Sequence, residues 1–393
     1  MLKLTEIDVR HKRVLVRADY NVPMQDGHIT SPARILESLP TLKYLMAQGA
    51  HIIVMSHLGR PQPGIWDAQY SLAPIAAYVA AQLGQPVQVV RHWREGVSVG
   101  TGEVVFLENI RFELGEETND AALGQALAAL ADVFVLDAFS IAHRAQASVC
   151  AVAKYAPCSC AGPLLLQEIN ALNHALEHQA SPRVAIVGGS KVSTKLAVLE
   201  NVLTRVDQLI VGGGIANTFL AAQGYAIGAS LYEPSMVAMA QDLLAKAAAS
   251  GKQIVVPLDV RVATELTQTA VATVKAITAV GAEDKIFDVG PQTEAFIAKS
   301  IMAAKTILWN GPLGAFEFTP FSHATKSMIQ ALGQTQAFTV AGGGDTVAAL
   351  ETLGPGVKLS YVSLSGGAFL EYIEGKVLPA LAALSVSAEH YQG

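Results

Sequence analysis

VLVRADYN (residues 14–21) and VAIVGGSK (184–191) decide the fold, because each is an unbroken apolar run that stops abruptly. A strand with one face in water alternates apolar and polar residues. A strand that is apolar throughout is covered on both faces, as in a parallel sheet packed between helices. Such runs recur. IIVMSHLGRP (52–61), VVFLENIRF (104–112) and VFVLDAFSIAHRA (133–145) end in arginine or histidine. LIVGGGIAN (209–217), ILWNGPLG (307–314) and FTVAGGGDT (338–346) end in glycine, and IVVPLDV (254–260), KIFDVG (285–290) and YVSLSGGA (361–368) complete the set. Between them lie Ala/Leu-rich stretches with helical spacing, such as 71–84, 122–133 and 234–251. The alternation predicts an α/β protein with doubly wound parallel sheets. In such sheets ligands bind beyond the carboxyl ends of the strands, where every one of these polar or glycine clusters falls.

A chain of 393 residues is long enough for two ordinary domains, and 51% hydrophobic residues can fill two cores. The expected division lies between Pro157 and Arg183, where a helical pattern runs to Ser181 and Pro182. This gives domains at 1–161 and 183–376 joined by a helix over 162–182. A net charge of −6 offers no general attraction to nucleic acid or to an anionic membrane. Mean hydropathy is positive at +0.36, yet each apolar run breaks well short of the roughly 18 residues a spanning helix needs. The N-terminus lacks the pattern of a signal peptide. Cys150, Cys158 and Cys160 are an odd number at close spacing, which implies neither a disulfide framework nor structural zinc, and a reducing, cytoplasmic location. Charge is divided along the chain: nine of twelve arginines precede residue 150, while twelve of fifteen lysines follow it.

The first half suits a small anion. Period two would turn Arg17, Asp19 and Asn21 to one face, although a structural turn at Pro23 explains the same residues. HLGRP sets His57 and Arg60 around a glycine, and Arg34, Arg111 and Arg144 stand at or near other strand ends. Guanidinium forks match carboxylate and phosphate, and convergence on one edge would build an anion pocket. The second half suits a nucleotide. GGSKVSTK (188–195) lacks Walker A spacing, but a helix starting there would stack Lys191 on Lys195. A solvated lysine face is the competing reading. GGGIAN and GGGDT fail G-x-G-x-x-G, which disfavours a dinucleotide dehydrogenase. GGGDT offers backbone N–H groups at a helix start, with Asp345 as a hard ligand for Mg²⁺ or simply an N-cap. Glu317 follows a rigid NGPLG turn and is placed to accept from ribose, or is a surface glutamate.

Taken in order, VRADYNVP, HLGRP, LENIRF, DAF with AHRA, GGSKVSTK, GGGIANTF, WNGPLGAFE, GGGDT and LEYIEGKVLP resemble the phosphoglycerate kinase family over essentially the whole chain. The resemblance implies a 3-phosphoglycerate-binding N-terminal domain, completed by about 377–393, and a nucleotide-binding C-terminal domain, with a cleft and hinge between them. It implies a monomer that carries out reversible, Mg²⁺-dependent transfer between 1,3-bisphosphoglycerate and ADP in glycolysis. By motif, Asp19, Tyr20, Asn21, Arg34, His57, Leu58, Gly59, Arg60, Arg111, His143 and Arg144 are implied to hold the glycerate substrate. Gly188, Gly189, Lys191, Lys195, Gly212, Gly213, Asn310, Pro312, Gly314, Glu317, Gly343, Gly344, Asp345 and Thr346 are implied to hold the nucleotide, Asp345 with the metal. Arg34, Lys191, Gly343 and Gly366 are implied to act in the transfer. The chain departs from the family at Ser140-Ile141, usually Gly-Thr, at Gln146, often His, and at Leu364-Ser365, usually Thr-Gly. A nucleotide-binding pseudoenzyme is the alternative. Retention of Arg34, Lys191, Lys195 and Asp345 argues against it.

Overall fold

The computed structural model describes residues 1–177 and 180–392, with side chains as far as Ser387 in the last helix. His178 and Gln179 of the expected 162–182 helix, and Gly393, lie outside the described residues. The chain forms two compact units, Met1–Ile169 with Val377–Gly393, and Asn170–Lys376. The division falls inside one helix, α5 (Pro163–Glu177).

The strands of the first unit are β1 (Arg13–Arg17), a short antiparallel hairpin of β2 (Met24–Gln25) and β3 (His28–Ile29), β4 (His51–Met55), β5 (Gln88–Val90), β6 (Val104–Leu107), β7 (Val133–Leu136) and β8 (Ser159–Ala161). Its helices are α1 (Ala33–Ala47), α2 (Ala73–Leu83), α3 (Ala121–Ala128), α4 (Val152–Tyr155) and, from the C-terminus, α13 (Pro379–Gln392). The main sheet is parallel throughout, in the order β5-β6-β4-β1-β7-β8. Successive residues of each central strand face opposite sides. Val14, Val16, Ile52, Val54, Val104 and Phe106 pack on one side with Leu42 and Leu45 of α1 and Ile75 and Val79 of α2. Leu15, Ile53, Val105 and Phe134, on the other side, are buried as well. Burial of both faces is why the strands read as unbroken apolar runs.

The second unit repeats the plan. Its strands are β9 (Arg183–Gly188), β10 (Gln208–Gly212), β11 (Gln253–Val255), β12 (Asp259–Ala263), β13 (Thr273–Ala276), β14 (Lys285–Val289), β15 (Thr306–Asn310), β16 (Phe338–Gly342) and β17 (Tyr361–Ser363). Its helices are α6 (Leu196–Arg205), α7 (Gly213–Ala222), α8 (Val237–Ala249), α9 (Pro291–Ala303), α10 (His323–Gln334), α11 (Gly344–Leu353) and α12 (Gly367–Ile373). The parallel sheet runs β11-β10-β9-β15-β16-β17. Val184, Ile186, Ile307 and Trp309 pack with Ile297 and Ile301 of α9 and Met328 and Ile329 of α10, while α6 and α7 lie against β9 and β10.

One expectation changes here. IVVPLDV is not one strand: it divides into β11 and β12 around Pro257, which has no N–H for a ladder. β12 then pairs antiparallel with β13 and β14, so KIFDVG belongs to a separate three-stranded sheet and not to the parallel one.

In both parallel sheets the order in which strands are added reverses beside the first strand, between β1 and β7 and between β9 and β15. These are the switch points where adjoining loops diverge and leave a crevice. In the second unit the loops are drawn tightly together, so that a Cβ on Gly188 would overlap the Pro312 carbonyl. Gly344, at the start of α11, has open space where its Cβ would be. Gly188→Ala is therefore expected to lower stability by about 1–3 kcal/mol, and Gly344→Ala to leave it within about 0.5 kcal/mol of the parent, as measured by chemical denaturation.

Candidate active site

In the first unit β1 ends at Arg17, and residues 18–23 turn, so period two does not align Arg17, Asp19 and Asn21. Arg17 instead points into the protein, at 0% exposure. Its guanidinium donates to the Ser148 hydroxyl at 2.9 Å, to the Ala18 carbonyl at 2.5 Å and to His57 Nδ1 at 3.3 Å. Ser148 in turn donates to the buried Glu116 at 2.6 Å through its hydroxyl and at 2.9 Å through its N–H. Burial lowers the Arg17 pKa to about 10, while the Glu116 and Asp19 charges work to keep it protonated. A buried guanidinium is tolerable only with such partners.

Arg17 can only donate, so His57 Nδ1 accepts and the imidazole is neutral, with its proton on Nε2. Burial, followed by the Arg17 charge, lowers the His57 pKa to about 3. His57 therefore adds a hydrogen-bonding edge to the site, and no charge, at neutral pH.

Three strand-end loops interlock above this layer. Gly59 N–H donates to Asn21 Oδ1 at 2.9 Å, and Arg111, in the turn after β6, donates to the Gly59 carbonyl at 2.5 Å. Asn109 braces the same loop by donating to the Leu58 carbonyl at 2.8 Å and the Tyr70 carbonyl at 2.9 Å. Arg60 is exposed, Arg144 and His143 are half-buried, and Arg111 Nε is buried without a hydrogen-bond partner. Burial and then the Arg144 charge lower the Arg111 pKa, with Arg60 adding to the effect. The structure thus brings Arg17, His57, Arg60, Arg111 and Arg144 into one electrostatic neighbourhood. Cations crowded this way, one with an unused donor, favour an anion strongly.

Arg34, in the first turn of α1, donates to Asp19 Oδ2 at 2.8 Å and to the Asn21 carbonyl at 3.2 Å. Two implied substrate contacts sit deeper than the motif suggests. The Tyr20 ring is fully buried, stacks on Phe106 at 5.5 Å and shares a 2.8 Å hydrogen bond between its hydroxyl and that of Ser38. Leu58 is also buried, so each has only backbone to offer a ligand.

In the second unit the candidate groups cluster at the ends of β9, β10, β15 and β16. Lys195 donates to Asn310 Oδ1, and Asn310 donates to the Gly342 carbonyl at 2.7 Å. Gly311 N–H donates to the Thr346 hydroxyl at 2.7 Å, so that hydroxyl already serves the loop. Burial lowers the Lys195 pKa, partly offset by Asp345 and Glu374. The expected lysine pair on a helix does not form: α6 begins at Leu196, and Lys191 stands on an exposed loop pinned by Ser193 to Glu233.

α7, α11 and α12 each follow a strand and start with glycine, with no side-chain cap; in α7 the Leu313 and Gly189 carbonyls already take the Gly213 and Ile215 N–H groups, which leaves α11 and α12 as the open ends. Such ends attract phosphate. Gly343 reaches the turn before α11 with φ +102°, a conformation that excludes side chains. Gly213 adopts φ +64° at the start of α7, Gly189 follows β9, and Gly314 and Pro312 lie on the loop after β15. Gly366 precedes α12 with open space around it, and Glu317 is exposed.

Asp345 is an exposed carboxylate in the first turn of α11. Among the described residues no group of three or more His, Cys, Asp or Glu is arranged to hold a metal. One carboxylate fits a Mg²⁺ that arrives on nucleotide phosphates and keeps its waters, and does not fit a protein-caged ion. No helix among the described residues is long and apolar enough to cross a membrane.

Two α/β units, one with a cationic strand edge and one with glycine-opened helix ends, define a phosphotransferase. A family model described as phosphoglycerate kinase matches residues 4–376. The chain is 51% identical over 387 residues to the phosphoglycerate kinase of Francisella tularensis subsp. holarctica, spanning 98% of this chain and 99% of that one. It is similar to the solved phosphoglycerate kinase of Coxiella burnetii, with a TM-score of 0.96, 49% identity and coverage of 98% and 99%. The solved enzyme of Pyrococcus horikoshii OT3 aligns with a TM-score of 0.79 at 30% identity, covering 99% and 100%. The chain belongs to the phosphoglycerate kinase family.

His57 links the site to stability. Its folded pKa near 3 lies below the 6.5 of the free side chain, so the unfolded chain binds more protons between those values. Stability contributed by neutral His57 is present above pH 6.5 and lost as pH falls. Between pH 7 and 5 this amounts to about 2 kcal/mol. Urea titrations at both pH values should show that loss in the parent and its absence in His57→Gln.

Proposed function

We propose that the chain catalyses reversible phosphoryl transfer between 1,3-bisphosphoglycerate and ADP, giving 3-phosphoglycerate and ATP, with the glycerate on the first unit and the nucleotide on the second. The observation that carries the division is chemical. The first unit gathers guanidinium groups and a neutral imidazole at its switch point, and the second gathers the uncapped start of α11 and Lys195 at its own. Forked cations match a small molecule with one carboxylate and one phosphate. Helix N-termini match a polyphosphate.

In the ATP-consuming direction the nucleophile is a carboxylate, ionised at neutral pH. No general base is required, which agrees with a His57 whose Nδ1 is taken up by Arg17. Catalysis then consists of aligning the two reactants, excluding water and stabilising charge on the transferring oxygens. Arg60, Arg111, His143 and Arg144 bind the glycerate's anionic groups, and Asp19 and Asn21 its hydroxyl. Lys195 holds nucleotide phosphate together with the N–H groups at the start of α11, Gly344 first. Glu317 accepts from ribose. Arg34 and Lys191, both reaching solvent, meet the moving phosphoryl group, and Gly343 and Gly366 let backbone approach it. Asp345 would hold a Mg²⁺ carried on the nucleotide phosphates, and the ion would supply neutralisation of phosphate charge. The enzyme works in the cytoplasm as a monomer.

A coupled assay of ATP-dependent phosphorylation of 3-phosphoglycerate is expected to show turnover that disappears with chelator and returns with Mg²⁺. Nucleotide binding without turnover at any Mg²⁺ concentration would point to a pseudoenzyme. Arg34→Ala should lower kcat by about 100-fold or more and leave the nucleotide KM within about threefold. An unchanged kcat would remove Arg34 from the chemical step.

A further inference from the structure

Asp19 is an acidic side chain set beside Arg34, His57 and Arg17 at the first unit's strand edge, and it is 8% exposed. Its Oδ1 accepts from Asn21 N–H at 3.0 Å and lies 3.9 Å from His57 Nδ1. Its Oδ2 accepts from two donors at once, Arg34 at 2.8 Å and the Ser140 hydroxyl. The two donors differ in freedom. Arg34 is a long side chain with 32% exposure. Ser140 has a single rotatable bond to its hydroxyl and sits in the 3-10 turn Phe139–Ile141, fixed between β7 and a buried Ile141.

A phosphoryl group in transfer presents several anionic oxygens and competes with one carboxylate oxygen for Arg34. When Arg34 is drawn away, a buried carboxylate that loses its donor bears a desolvation cost. That cost would pull Arg34 back. We propose that Ser140 is a positioning residue: its hydroxyl stays on Asp19 when Arg34 departs, which holds Asp19 in place for the substrate and lowers the cost of releasing Arg34. The inference rests on the proposed role of Arg34. The charged and titratable groups around Asp19 are Arg34 from α1, His57 after β4 and Arg17 from β1. None of them replaces a hydroxyl donor on Oδ2.

The test uses the full chain in four forms: parent, Ser140→Ala, Arg34→Ala and the double variant. The Asp19 carboxyl is titrated by ¹³C NMR without substrate, so the result does not depend on the reaction being correctly assigned. Ser140→Ala should raise the Asp19 pKa by about half a unit with Arg34 present and by a unit or more in the Arg34→Ala background. Equal shifts in both backgrounds, or none, would overturn the proposal. In the coupled assay Ser140→Ala should lower kcat roughly fivefold to tenfold, with the nucleotide KM unchanged and the melting temperature lowered by no more than about 3 °C. Ser140→Thr, which keeps the hydroxyl, should restore both readouts. Turnover as fast as the parent's in Ser140→Ala would also overturn it. A parent that shows the NMR coupling but no turnover of 3-phosphoglycerate would instead sink the functional reading and leave the Ser140 contact standing.

Discussion

Strands covered by helices on both faces can present chemistry only where they end. Both parallel sheets in this chain obey that constraint, and the architecture follows from it. Leu15, Ile53, Phe134, Ala185 and Ile210 fill interiors in which a polar side chain would be stranded. Polar groups are therefore gathered at the carboxyl edges, beside β1 and β7 in one unit and beside β9 and β15 in the other. The edges solve the same problem in different ways. One uses long cationic side chains. The other dispenses with side chains: at Gly188 and Gly213 the loops pack backbone to backbone, and Gly343 turns the chain into α11, whose first N–H groups face outward.

Cations at the first edge repel one another, and the fold accommodates them in layers. Arg17 lies deepest and is matched by Glu116 through Ser148. His57 above it stays neutral because Arg17 occupies its Nδ1 and neighbouring guanidinium groups oppose a further charge. Arg111, Arg60 and Arg144 form the outer layer, offset in part by Glu117 and Glu116, while Asp19 faces His57 and Arg34. A dianionic ligand would relieve this repulsion, so binding energy is stored in the arrangement before the ligand arrives. The second edge carries less charge. Lys195 is neutral-seeking by burial and is steadied by Asn310 and Asp345.

Much of this was legible in the sequence. Unbroken apolar runs announced strands buried on both sides, and the residues that end them marked the edges. Other features were hidden for definable reasons. Period two assigns a face and not a depth, so Arg17 read as sharing a face with Asp19 and Asn21 when it is buried support. Tyr20 sits inside a functional motif, yet its ring serves the core against Phe106. The Lys191–Lys195 spacing matched one helical turn, but α6 starts only after Lys195. Pro257 inside IVVPLDV carried the signal that β11 and β12 part. Glu116 and Ser148 had none, because the Arg17–Ser148 bond spans 131 residues and exists only after folding. The Ser140 contact with Asp19 was invisible for the same reason.

The central claim is that the two edges bind different substrates. Amide chemical shifts of the labelled chain, followed during separate titrations with 3-phosphoglycerate and with Mg-ADP, test it most directly. The account predicts that 3-phosphoglycerate moves Asn21, Gly59 and Arg111, while Mg-ADP moves Gly213, Gly344 and Lys195. Saturating 3-phosphoglycerate that shifts the glycine-edge amides and leaves Gly59 and Arg111 untouched would contradict it.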